Sequence, residues 1–122
     1  MEYENDLLMR QIRDMARMLA SVLFGKKSET YEYEEEKEIT TDSLLNRLIH
    51  MADDGNINKA ENILSDELEK DEDEILQTAL EFYEHLNTLS DEFLEKNNYS
   101  REEIKEGIQD LAERKGLGVL ME

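Results

Sequence analysis

Two histidines, His50 and His85, and a large surplus of carboxylates are the groups in this 122-residue chain that could do chemistry. A His-Glu-x-x-His zinc motif is absent, and the Glu-x-x-His of a di-iron bundle fails because Arg47 and Phe82 stand where the glutamates should be. Glu81 and His85 are four residues apart and would share a helix face. The ordinary fate of such a pair is a solvated ion pair or hydrogen bond rather than a metal site. Asp53-Asp54-Gly55 invites a calcium-loop reading, yet aligning Gly55 with the loop glycine puts His50 and Ala52 at the first two ligand positions. With no cysteine, a thiolate site, a disulfide scaffold and a cysteine nucleophile are excluded. No glycine-rich phosphate loop or serine elbow occurs, and Gly116-Leu117-Gly118 comes too late in the chain to open a dinucleotide fold. The expectation is a protein that is not an enzyme, with no cofactor and no metal.

Charge narrows the partners. The chain carries −18 at pH 7, from 32 acidic and 14 basic residues, and this charge is unevenly spread. Residues 1–27 hold five basic groups (Arg10, Arg13, Arg17, Lys26, Lys27) against four acidic ones, which leaves −19 on residues 28–122. An acidic body repels phosphates, so nucleic acid is not an expected partner. It favours solubility, or attraction to a basic partner. Glu2, Glu4 and Asp6 stand where a signal peptide would be positive. The longest uncharged run, Met18 to Gly25, falls well short of the roughly 20 residues of a membrane span. Together with the missing cysteines, these features lead to a cytoplasmic expectation.

The elements that would position these groups are helices. Proline is absent, and the periodic segments consist largely of good helix formers. The seam Leu8, Ile12, Met15, Leu19, Val22 is spaced 4, 3, 4, 3. Met9, Ala16, Ala20 and Leu23 widen it on one side, Leu7 and Met18 on the other, leaving a thin polar stripe of Arg10, Arg13, Asp14, Arg17 and Ser21. So wide an apolar arc needs neighbours on at least two sides. Gly25 ends this helix, and residues 28–40 read as an acidic linker. Thr41 or Asp42 then caps a helix running to Asp54, with Leu44, Leu45, Leu48, Ile49 and Ala52 inward. Asp54-Gly55-Asn56 turns the chain, Asn56 or Asn58 caps the next helix, and Ile57, Ala60, Ile63, Leu64 and Leu68 face back in an αα-hairpin.

From Ile75 the pattern Ile75, Ala79, Phe82, Leu86, Leu89, Phe93 predicts one helix over 73–97, kinked near Asn87-Thr88 and Ser90. Ser100-Arg101-Glu102-Glu103 is a capping box opening a last helix that buries Ile104, Ile108, Leu111 and Ala112 and ends at Gly116. The expected fold is all-α: a single domain of about five helices, arranged as a small bundle or a tetratricopeptide-like array. Its parts are a docking helix over 1–27, an acidic linker over 28–40 and a helical body over 41–122.

Two resemblances follow from these segments. Gly55, Ile57, Ala60 and Leu64 are spaced as in the middle of a tetratricopeptide repeat, where a glycine turns the chain and a small alanine lets helices approach. Glu67 stands where that motif has a small residue, its later proline is missing, and there is no second copy. Met9-Arg10-Gln11-Ile12, Leu23-Phe24-Gly25-Lys26, Asn58-Lys59-Ala60-Glu61-Asn62, Leu89-Ser90-Asp91-Glu92-Phe93-Leu94 and Ser100-Arg101-Glu102-Glu103-Ile104 resemble a family of small all-helical proteins from Gram-positive bacteria. That family has no assigned function, so the resemblance implies a cytoplasmic single domain and no site residues.

Three functional expectations remain. The first is a structural or interaction protein that self-associates as a dimer or larger through Leu8, Ile12, Met15, Leu19, Val22 and Leu23. The second is an acidic module that receives a basic peptide or protein, with Glu61, Glu67, Glu81 and Glu84 as its surface. The third is peripheral membrane attachment by the N-terminal helix, which the acidic body opposes.

Overall fold

Good helix formers and well-placed caps divide the chain into six α-helices and no strands among the described residues. The computed structural model describes residues 2–25 and 35–121, with side chains over 6–25 and 43–119. The tyrosines of the expected linker, Tyr31 and Tyr33, lie outside the described residues. The elements are α1 (Glu2–Phe24), α2 (Glu35–Asp53), α3 (Ile57–Lys70), α4 (Glu72–Leu86), α5 (Asp91–Lys96) and α6 (Arg101–Arg114), then a 3₁₀ turn at Gly118–Met121.

The termini follow local chemistry. Gly55, at φ 96°, closes α2: its N–H reaches Ala52 O at 2.9 Å while Asn56 N–H reaches Met51 O at 2.8 Å. Gly116, at φ 72°, closes α6 with the same pair of bonds to Glu113 and Ala112. Asn98, at φ 59°, does so for α5. The predicted capping box is present, with Ser100 N–H donating to Glu103 Oε2 at 2.7 Å and Glu103 N–H to Ser100 Oγ at 3.3 Å. Asp71 accepts from Glu74 N–H at 3.3 Å to start α4. Asn56 holds the N-cap position of α3, but its side chain makes no capping bond.

Two boundaries differ from expectation. α2 begins at Glu35, inside the stretch read as linker, so Thr41 and Asp42 are helical residues rather than caps. The glutamates there are good helix formers at the end of a helix that favours negative charge, which outweighs their mutual repulsion. The helix expected over 73–97 is two helices, because Ser90 Oγ accepts from Phe93 N–H at 3.1 Å and starts α5 afresh. Asn87, Thr88 and Leu89 form the break between them. The apolar spacing runs unbroken across it, and the break falls where the kink was expected.

α4 is the axis of the fold. It packs against α1, α2, α3 and α6, while α1 also packs on α6 and α2 on α3. Two helix pairs, α1 with α6 and α2 with α3, therefore flank one central helix. Ile75, Leu76, Thr78, Ala79, Leu80, Phe82, Tyr83 and Leu86 of α4 are all buried. Ile12, Ala16 and Leu19 of α1 are 0% exposed and join the same core as Leu48, Leu64 and Ile108. Burying a side chain the size of Ile12 or Leu19 contributes about 2 kcal/mol. α1 is thus part of the domain core rather than a detachable arm.

Candidate functional site

α4 has a closed side and an open side. On the closed side Tyr83 and Tyr99 both donate to one carboxylate oxygen, Glu61 Oε2 on α3, at 2.7 and 3.1 Å. Burial raises both phenols well above the ordinary tyrosine range, and the Glu61 carboxylate pushes further in the same direction. The Tyr83 ring lies on Gly107 of α6, where a Cβ would stand 2.3 Å from Cζ. Arg114 of α6 reaches Glu69 of α3 at 3.5 Å and Glu72 of α4 at 3.9 Å. No buried side-chain polar atom among the described residues is without a hydrogen-bond partner, and this cluster serves packing.

The break after α4 is held by Arg101, which is 5% exposed. Its guanidinium donates to Asp91 Oδ1 at 2.9 Å, Asn87 O at 2.8 Å, Asn87 Oδ1 at 3.1 Å and Leu89 O at 2.6 Å. Asn87 Nδ2 in turn donates to Met9 O at 2.9 Å, tying the corner to α1. The planar fork of arginine suits this set of carbonyl and carboxylate acceptors.

On the open side Glu81, Glu84, His85 and Thr88 recur at i, i+3, i+4 and i+7 and share one face of α4 and the turn after it. That face forms the bottom of a groove of about 690 Å³ between α1 and α2, with Met9, Ile12 and Arg13 on one wall and Leu45 and Ile49 on the other. The volume is within the roughly 300–1,000 Å³ of ordinary ligand pockets. Partial burial raises the Glu84 carboxyl above its usual range, and Arg17 on α1 pulls it back. His85 Nε2 lies 2.7 Å from Asp53 Oδ1 of α2, so a neighbouring helix supplies its acidic partner. No group of three or more potential metal ligands gathers among the described residues.

The six residues expected at a self-association surface do not share one environment. Ile12 and Leu19 are fully buried inside the chain, Leu8, Met15 and Leu23 are half-buried against the same core, and Val22 is 52% exposed. Ile12 and Leu19 therefore cannot meet a second molecule without unfolding α1. The wide apolar arc finds its neighbours in α4 and α6, and the outward apolar stripe that remains is Leu7, Met15, Met18 and Val22. Leu7 is 53% exposed and Met18 47%.

The four glutamates proposed for a basic partner divide as well. Glu61 points inward to the tyrosines and Glu67 lies on α3, while Glu81 and Glu84 meet in the groove. Met9, Arg13, Leu45, Ile49, His85 and Thr88 were missed as groove residues. The signal available in the sequence was the polar face of α4 at helical spacing. The gap between α1 and α2 leaves no such trace.

Among the described residues no helix is long and apolar enough to cross a membrane. No curated protein and no solved structure matches the chain. A family model does, over residues 2–116, from the start of α1 to the glycine that closes α6. On that match the chain belongs to a family of unknown function, DUF6483.

Proposed function

We propose that this is a non-enzymatic interaction protein of the cytoplasm that self-associates through the outward stripe of α1. The observation that carries this reading is a set of exposed apolar residues (Leu7, Met18 and Val22, each about half exposed, with Met15 beside them) on a helix whose adjoining face is locked in the core. An apolar stripe, interrupted at Gln11, in a chain this acidic calls for a cover, and a second copy of the same stripe provides one. Sedimentation equilibrium of the full chain tests it. The expected result is a dimer or larger that becomes a monomer in the M18Q/V22Q variant. A native chain that is already monomeric, or a variant of unchanged mass, would sink the idea. Exposed positions suit this test because such substitutions shift stability by only about 0.5 kcal/mol. Deleting residues 1–27 does not suit it, since that removes Ile12 and Leu19 from the core.

A second reading, an acidic module for a basic peptide or protein, draws support from Glu81 and Glu84 meeting beside an apolar groove. The tetratricopeptide-like hairpin of α2 and α3 adds shape to that reading, with Gly55 at the turn and Ala60 fully buried. Binding of this kind should fall steeply with salt. Membrane attachment is the weakest reading. The apolar seam of α1 is engaged inside the chain, and Arg17 acts on Glu84 rather than flanking the outward stripe. Flotation of the whole chain with anionic vesicles would reinstate it.

A further inference from the structure

We propose that the groove between α1 and α2 takes a basic amphipathic helix from a partner protein, with its apolar residues on Met9, Leu45 and Ile49 and a lysine or arginine against Glu81 and Glu84. This deepens the basic-partner reading and depends on it. The groove is walled by two helices lying on a third and is open to solvent, the arrangement in which an amphipathic helix docks by its apolar face. Met9, Leu45 and Ile49 are half-buried, whereas Ile12 on the α1 wall is fully covered. Three wall residues therefore keep apolar area to cover.

Charge selects the occupant. Two carboxylates, Glu81 and Glu84, stand on the floor among these apolar walls, with Arg13 at the rim and Arg17 of α1 acting on Glu84, on a chain that carries −18 as a whole. Glu84 is already partly stripped of water, so a cation arriving on an aliphatic stem suits it better than a neutral group does. Lysine and arginine carry such stems, which lie along apolar surface while the head reaches the carboxylate. The strongly negative body draws a basic segment toward this face before contact. An acidic or purely apolar helix gains the walls and forfeits the floor.

The probe is a synthetic amphipathic helix of leucine and lysine alone, titrated into the isotope-labelled full chain while backbone amide shifts are followed. The expected result is saturable binding with shifts concentrated on Met9, Arg13, Leu45, Ile49, Glu81, Glu84 and His85. E81Q/E84Q should weaken it about tenfold, the sum of two partly exposed charge pairs. D66N/E106Q removes the same charge from exposed positions elsewhere and should leave affinity within about twofold. Shifts centred on Leu7, Met15, Met18 and Val22, or equal weakening by both variants, would overturn the groove and leave a basic-partner role standing elsewhere. Equal binding of a leucine–glutamine helix would overturn the charge selection. No saturable binding of the lysine helix at low salt would remove both the groove and the reading beneath it.

Discussion

Tyr83 and Glu84 are neighbours in sequence on the same helix, and they face different sides of it. Tyr83 lies against α3 and α6, donates to Glu61 and is packed beneath Gly107. Glu84 faces the groove beside α1, half in water and within the field of Arg17. The closed side turns both phenols and a Glu61 oxygen inward on one another. The open side sets carboxylates among uncovered apolar walls, which stabilises the fold little and suits recognition.

The sharpest way to break the closed side is at its corner. R101A leaves the carbonyls of Asn87 and Leu89 without their donor and Asp91 without its cation. Unsatisfied buried acceptors cost about 1–3 kcal/mol each, so urea denaturation should show a loss of about 3 kcal/mol or more. R101K keeps the charge but not the fork and should recover less than half of that. A loss below about 1 kcal/mol would mean the corner is held by apolar contacts instead.

The tyrosines make a prediction about pH. Their folded pKa values lie above the ordinary value of 10.0, so their stabilising contribution is complete below that pH. As pH rises beyond it, the unfolded chain releases protons that the folded chain keeps, and stability falls by about 1.4 kcal/mol per pH unit for each tyrosine. Y83F/Y99F should be less stable at neutral pH and lose less on going alkaline. An alkaline limb of unchanged steepness in that variant would refute the assignment. G107A sharpens the same contact through its sign. Alanine is about 1 kcal/mol better than glycine inside a helix, yet here its methyl would meet the Tyr83 ring. A net loss of about 1–3 kcal/mol is expected, and a gain would show that the ring yields.

Much of the fold was legible because helices advertise themselves through apolar spacing and caps. The capping box at Ser100 and the glycine stops at Gly55 and Gly116 carry their chemistry in adjacent residues. What was not legible depends on several elements at once. α4 was read as one stripe through Ile75, Ala79 and Phe82, although Leu76, Leu80 and Tyr83 are buried too. Periodicity finds the strongest stripe but cannot report that a helix is surrounded. Arg101 was legible only as a member of the capping box, since two of its partners are backbone carbonyls with no sequence signature. The groove is a space between α1 and α2, and spacing along one helix says nothing about a neighbour that fails to arrive.

The smallest expected effect separates the two sides most cleanly, because equal chemistry should give opposite signs. E61Q replaces a half-buried acceptor of two phenols by a weaker one whose amide donors have no role there, and should cost about 1–2 kcal/mol. E84Q makes the same exchange in the groove. Burial raises the folded pKa of Glu84, so its contribution is fully present below the unfolded carboxyl value and is lost as pH rises past it. At neutral pH the ionised carboxylate is therefore slightly unfavourable to folding, and solvent together with Arg17 keeps that penalty to a few tenths of a kcal/mol. E84Q should leave stability unchanged or raised by that amount at pH 7, with the difference vanishing as both chains are taken below pH 4. Parallel urea titrations of the two variants are the measurement. A loss in E84Q comparable to that in E61Q would mean that Glu84 is a structural group and that the open side is closed after all.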